Sequence, residues 1–414
     1  MRQPISGHIA NTLVTEMMIA FSQSGDLIQT LEWGLPKVLA SIDAQAGSLF
    51  LHHPATKKLA CAVCIGPVDI KDLTIPDDQG IVGLAFRTKI SQLISNVSTD
   101  MHYYRAVDQR TGFTTKSIIT VPLYFGDEVY GALQAINRID AAGKVLTFAK
   151  RHLAIFEAVA IALGLALKNI KLTEKIVLDK LIQKDVAEAQ QVQQCLFPQR
   201  DQFEFISGGV IPYRSLSGDF IDYFKHESKI AFIEGDVSGK GMPAALLMAR
   251  SIALFRSFSR RGLKAEEIAS KINEEIYLHG TADRFVTAVI GWYDPAEQSI
   301  TFVNCGHNPV LHTGNTYAIP YGSTSPPLGV SASPDFNPRP VSFLLKANEA
   351  TYIATDGITE ASINGHELGL DGLAKMAAKQ SNLNAIKRAA QILAFVESKK
   401  LTTIDDATLL VITS

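Results

Sequence analysis

Three textures follow one another along the chain. Up to about residue 150, short apolar runs alternate with polar turns. Ser48–Ala62 (SLFLHHPATKKLACA) reads as two strands around a polar, proline-containing loop. Gly80–Arg87 (GIVGLAFR) reads as a glycine-marked turn entering a short helix, and SIITVPL and EVYGALQAIN as strands paired around Gly126-Asp127. From about Thr147 to Leu196 there is no proline and only Gly164 interrupts, which predicts a helical stretch far longer than usual. Leu163, Leu167, Ile170, Glu174, Val177 and Leu181 follow alternating steps of four and three, a coiled-coil seam broken by Glu174. Two shorter helices parted near Lys168–Lys171 are the alternative, and Pro198 ends the segment. Beyond it, strand-like runs at Ile230–Asp236, Thr287–Tyr293, Thr301–Cys305, Ala350–Asp356 and Ala407–Ile412 alternate with helical stretches Pro243–Arg261 and Leu373–Lys399.

The 414 residues exceed one core, so two or three domains are expected. Hydrophobic content of 47% with 19% charged residues indicates a globular chain. A formal net charge of -2 argues against nucleic acid or an anionic membrane as partner. The scattered cysteines Cys61, Cys64, Cys195 and Cys305 suit a reducing compartment, hence a cytoplasmic protein. Cys61 and Cys64 form a CxxC inside a strand-like run, where strict alternation puts residues three apart on opposite faces and argues against a redox or metal pair. The start of the chain lacks the apolar core of a signal peptide. His152–Lys168 is short for a bilayer crossing and carries Glu157, so a buried or dimer-forming helix is expected.

Aspartates carry the candidate chemistry. Asp219 sits in SLSGDFID, Asp236 in IEGDVSGKGMPAA, Asp356 in YIATDGITEA, and Asp405 with Asp406 in TTIDDATLLVI. Each stands at the margin of an apolar run, where a strand delivers it to the rim of a sheet. Hard divalent cations such as magnesium and manganese take several oxygen ligands. Four carboxylates from separate segments can hold two ions, an arrangement that activates water for displacement at phosphorus. Singly, each motif reads as a turn, since Asp-Gly is a common turn signal.

The ordered set SGDFID, GDVSGKGMPAAL, NCGHNP, PPLGV, TDGITEA and DDATLLV resembles the SpoIIE/RsbU-type branch of the metal-dependent (type 2C, or PPM) serine/threonine protein phosphatases. The lead-in EAQQVQQCLFP fits that branch as well. The resemblance implies an α/β sandwich of two antiparallel sheets flanked by helices, two Mn2+ or Mg2+ ions, and direct hydrolysis of phosphoserine or phosphothreonine without a phosphoenzyme. By position, Asp236 bridges both ions, Asp219 and the Val237 carbonyl complete one site, and Asp356 and Asp405 the other, with Asp406 the alternative to Asp405. Asp222 is expected to hold a metal-bound water, and Arg214 is a candidate to bind the substrate phosphate, a solvent-exposed arginine being the equal alternative. Ser238 stands where the animal branch has its proposed general-acid histidine, so none is assigned; His307 is expected to be structural and Cys305 a small apolar residue.

Residues 13–160 resemble a GAF domain through AGSLFLHHP, IPDDQGIVGLAFRT, KSIITVPLYFGDEVYGALQAINR and FAKRHLAIFEAVA. His152 and Leu153 stand where the phosphodiesterase-type signature has acids, so an unknown small-molecule ligand or pure dimerisation is expected rather than a cyclic nucleotide. The whole is then an α+β chain: GAF domain at 13–160, helical coiled-coil linker at 161–198, and phosphatase domain at 199–414. A homodimer is expected along the helix, with Ala187–Pro198 as the element that transmits a signal. By resemblance the substrate is a phosphorylated STAS-domain anti-anti-sigma protein of a partner-switching pathway. A pseudophosphatase or a ligand-sensing dimeric scaffold is the alternative.

Overall fold

The structure is a computed structural model that describes residues 27–199, 202–280, 283–314, 316–363, 366–398 and 405–414, with residues 12, 15–16 and 19–20 besides. The expected first-domain start at residue 13 and the Thr402–Ile404 lead-in to the last motif lie outside these residues. The chain divides into two compact units, Met1–Lys180 and Leu181–Ser414.

The first unit contains α1 (Leu27–Ser41), β1 (Ala44–His53), β2 (Lys58–Ile65), β3 (Thr74–Pro76), α2 (Gly80–Thr88), β4 (Gln92–Ile94), α3 (Ala106–Thr111), β5 (Ile118–Phe125), β6 (Glu128–Ile139) and β7 (Val145–Leu146). Its antiparallel sheet runs β3-β2-β1-β6-β5-β4, with β7 added on β6. The expected hairpins form, and Gly126 at φ 59° turns the β5–β6 pair. Helix α4 (Lys150–Gln194) is one unbroken helix of 45 residues, so the alternative of two shorter helices does not occur. Its first turns bury Phe156, Val159, Ala160 and Leu163 against α1 and the sheet. Gly164, which looked like an interruption, is where the helix meets strand backbone: a Cβ there would lie 2.5 Å from the Tyr124 carbonyl. One 18-residue window of α4 is apolar enough to cross a bilayer, and a third of that window is buried in the protein.

The second unit is a sandwich of two antiparallel sheets. One runs β15-β12-β11-β10-β9, from Val341–Leu344, Ser299–Cys305, Val286–Asp294, Lys229–Val237 and Phe220–His226. The other runs β14-β13-β16-β19-β8, from Ala318–Tyr321, Val310–Thr313, Ala350–Ala354, Ala407–Thr413 and Ile206–Ile211. A small hairpin joins β17 (Ser362–Ile363) to β18 (His366–Glu367). Between the sheets lie Ile221, Phe232, Val289, Phe302, Ile353, Leu410 and Ile412. Each such side chain contributes about 2 kcal/mol by leaving water. Helices α5 (Met242–Ser259) and α6 (Ala265–His279) cover the first sheet. Helices α7 (Asp356–Thr359), α8 (Gly369–Ala378) and α9 (Ala385–Ser398) belong with the second.

Two expectations are corrected. The stretch Leu373–Lys399 is two helices, not one, because Arg388 is buried and donates to the carbonyls of Leu383 and Ser381, capturing the chain in a turn. Cys61 and Cys64 share a face of β2. Leu49 pairs with Val63 but Phe50 with Cys61, so Ala62 is an extra, bulged residue that resets the alternation.

Candidate active site

The loop before β9, the end of β10, the β16–α7 junction and the start of β19 bring the motif aspartates to one end of the sandwich. Asp219 is nearly buried and accepts from the Thr355 and Thr408 hydroxyls, both at 2.7 Å, which tie the first sheet's edge loop to the second sheet. Thr355 is held in turn, its Oγ1 accepting from the Thr408 amide at 2.8 Å. Asp236, which β10 delivers opposite Thr287, is the carboxylate whose charge bears most on Asp219. Asp356 opens α7, where Gly357 allows the chain to touch β19: a Cβ there would lie 2.0 Å from the Asp406 carbonyl.

The two neighbours Asp405 and Asp406 have different jobs. Asp406 accepts from the Tyr213 amide at 2.7 Å and from the Ser217 hydroxyl and Gly218 amide, both at 2.9 Å. Its carboxylate thus shapes the loop that ends in Asp219. Asp405 lies at the rim, 2.9 Å from the Lys240 ammonium. Asp222 pairs with Arg256 at 2.7 and 3.0 Å and is spent there rather than facing the other carboxylates. Arg214 is exposed on the loop before Asp219.

Electrostatics mark the cluster. Burial and the neighbouring Asp236 hold the Asp219 carboxyl well above the usual range, against the two threonine hydroxyls that favour its charge. Burial lifts Asp236 to about 6, with Asp356, Asp405 and Asp406 adding repulsion. Burial and Asp405 raise Asp356, which Lys240 partly offsets. Carboxylates crowded this way are short of positive charge.

The donor set fits hard divalent cations. It is all oxygen, and Gly218 keeps space beside it: a Cβ there would sit 3.1 Å from the Val237 carbonyl and 3.4 Å from Asp236 Oδ1. Among the described residues, no three acidic, histidine or cysteine side chains close into a finished cage. Gly239 at φ 89° and Gly241 at φ 82° carry the turn from Val237 into α5, whose first turn holds Pro243. Arg284, unremarked in the sequence, donates to the Ser238 carbonyl at 3.0 Å and packs against Gly239.

Beneath the aspartates lies a second polar group that sequence reasoning passed over. Glu234 is fully buried two residues before Asp236, and neither of its oxygens has a hydrogen-bond partner. Burial raises its pKa well above the usual carboxyl range, which favours the protonated form. His307 Nε2 stands 4.0 Å away, while its Nδ1 meets the Thr287 hydroxyl at 3.0 Å. The one signal was a lone glutamate in the apolar run IAFIEGDV. Cys305 is fully buried and burial pushes its thiol up to about 12, in keeping with an apolar role.

Two five-stranded antiparallel sheets packed face to face, helices outside and an acidic rim at one end define a PP2C-like domain. Residues 226–414 match the SpoIIE family (Stage II sporulation protein E) and residues 29–168 the GAF domain, so the chain carries a GAF domain followed by a SpoIIE domain. It is 25% identical over 183 residues to phosphoserine phosphatase RsbU of Bacillus subtilis (strain 168), covering 43% of this chain and 54% of that protein. It is also 32% identical over 106 residues, 26% of the chain, to the probable 3',5'-cyclic phosphodiesterase pde-5 of Caenorhabditis elegans, covering 14% of that protein. The chain thus spans about half, or less, of these relatives. The SiaA-PP2C domain of Pseudomonas aeruginosa shares the fold, with TM-score 0.51 and 17% identity over 57% of this chain and 98% of that one.

Proposed function

We propose that this protein is a metal-dependent phosphoserine/phosphothreonine protein phosphatase regulated by its GAF domain. The observation that carries the reading is the gathering of Asp219, Asp236, Asp356 and Asp405 from four segments, with three carboxyls raised by burial and by one another. The printed name of the Bacillus relative, phosphoserine phosphatase, supports the substrate class. Asp219 and the Val237 carbonyl would hold one cation and Asp356 and Asp405 another, with Asp236 serving both. Two Mn2+ or Mg2+ ions bound there supply the charge that acidifies water and stabilises an in-line displacement at phosphorus. The threonine hydroxyls on Asp219 fix which of its oxygens faces the ions, and Asp406 holds the 213–218 loop in place. Arg214, exposed on that loop, contacts the substrate phosphate.

The partner is a phosphorylated STAS-domain protein in a partner-switching pathway, and the setting is the cytoplasm, in keeping with four free cysteines. A homodimer forms along α4, whose Ile176, Val177 and Leu181 are exposed apolar side chains. The lead-in Ala187–Pro198 transmits the state of the GAF domain. Gln193 supports that role: it donates to the Ser217 carbonyl at 2.8 Å and accepts from the Ser217 amide at 3.1 Å, on the loop that carries Asp219.

The test is release of phosphate from an aryl phosphate and from a serine-phosphorylated STAS protein, with manganese and with chelator. Turnover that needs the metal, and falls about a thousandfold or more in Asp236→Asn, is expected. Turnover indifferent to chelator rules the reading out.

A further inference from the structure

We propose that Cys64 and Cys61 form an oxidisable thiol pair in the first domain, a modification site for peroxides in which Cys64 is attacked first and Cys61 resolves it. The bulge at Ala62 is what brings the pair together. Cys61 belongs to the cluster of Phe50, Leu59, Ile75 and Val82 and Cys64 packs against that cluster, while Val63 and Ala62 pack with the cluster on the opposite face of the sheet. Each thiol donates to a backbone carbonyl at 3.4 Å, Cys61 to Val63 and Cys64 to Val68, and the two sulfurs perturb one another.

Their environments differ in the sense the chemistry needs. Cys61 is buried, whereas Cys64 is half-buried and lines a small cavity of about 50 Å³ with Ser48, Asp108 and Thr115. Ser48 stands directly opposite Cys64 in the β1–β2 ladder. Its hydroxyl is 1% exposed residue-wise and has no hydrogen-bond partner, a donor with nothing yet to donate to beside the sulfur. Opposed side chains in an antiparallel pair come within about 5 Å. The neighbouring Cys61 lowers the Cys64 thiol to about 7, and Cys64 together with burial pushes Cys61 up. Cys64 is therefore the more readily ionised thiol of the two and Cys61 the one that keeps its proton.

In the first step the Cys64 thiolate attacks one oxygen of hydrogen peroxide. A sulfur–oxygen bond forms, the oxygen–oxygen bond breaks, and the hydroxide released takes up a proton to leave as water. The product is a sulfenic acid, to which the Ser48 hydroxyl donates. In the second step Cys61 sulfur attacks Cys64 sulfur, its thiol proton goes to the departing hydroxyl, and a second water leaves. Two thiols and one peroxide thus yield one disulfide and two waters. A disulfide brings its Cα atoms to about 4.4–6.8 Å, closer than three extended residues at about 10 Å. Closure must therefore draw in the chain at the bulge, where β2 already departs from regular pairing.

The experiment treats the full chain with a few equivalents of hydrogen peroxide at pH 7, blocks remaining thiols with N-ethylmaleimide, and weighs tryptic peptides. The expected result is that Leu59–Lys71, which holds both cysteines, loses two hydrogens and its reactivity to the blocker before the exposed Cys195 is modified. Treatment with dithiothreitol restores it. In Cys61→Ser the reaction stops at a Cys64 sulfenic acid that dimedone captures. Oxidation of Cys195 while Leu59–Lys71 keeps its reduced mass overturns the proposal, as does a Cys61→Ser chain whose Cys64 takes no dimedone.

Discussion

At the residue scale, the buried polar groups under the acidic rim have consequences that can be measured. Burial lowers His307 to about 4, so the folded chain holds it neutral. An unfolded histidine takes up its proton near 6.5. Below that pH the unfolded state binds more protons, and stability falls until about pH 4. Between pH 7.5 and 5 the single group removes about 2 kcal/mol. Glu234 faces it and acts in the opposite sense, because a carboxyl whose folded pKa is raised costs stability as pH rises above its unfolded value. Urea unfolding of the parent and of His307→Gln at the two pH values isolates the histidine: the variant loses about 2 kcal/mol less on acidification. Equal losses contradict the assignment. The motif aspartates were legible because glycine or a second acid beside a carboxylate at a strand margin stands out. Glu234 was not, because one glutamate inside an apolar run looks like a strand's solvent face. The placement of Cys61 and Cys64 was misread for a different reason, since alternation holds only until a bulge, and nothing in ACAVC announces one.

At the scale of elements, the long central strands and the long helix followed from periodicity with boundaries within a few residues, whereas β8, β9, β13 to β15 and helix α6 did not. The split of α8 from α9 did not, because no glycine or proline marks it. Arg388 makes the break: it is 2% exposed, donates to two turn carbonyls, and reaches the Tyr352 hydroxyl at 3.1 Å. Arg388→Leu strands those acceptors in the interior and costs about 3 kcal/mol, read as a drop in melting temperature with little change in the unfolding slope. A change below about 0.5 kcal/mol contradicts it. Helix α4 ends in an element with a chemical grip on the site loop, since Gln193 makes two hydrogen bonds to Ser217. Gln193→Ala is expected to lower kcat for an aryl phosphate about tenfold while leaving the melting temperature nearly unchanged. An unaltered kcat removes Gln193 from the positioning of Asp219.

At the scale of the whole molecule, two domains with separate chemistry share one chain. The SpoIIE domain offers an oxygen-lined cluster short of positive charge, and the GAF domain offers a cavity with a thiol and an unsatisfied hydroxyl in its wall. Composition alone would have said only that the chain is globular and near neutral. The order of the motifs carried the rest. The central claim is that the four rim aspartates together hold a pair of divalent cations, and equilibrium dialysis against manganese tests it most directly. The account predicts two manganese ions per parent chain and loss of both in Asp236→Asn, whose circular dichroism stays that of the parent. No bound manganese in the parent, or an undiminished count in Asp236→Asn, would contradict it.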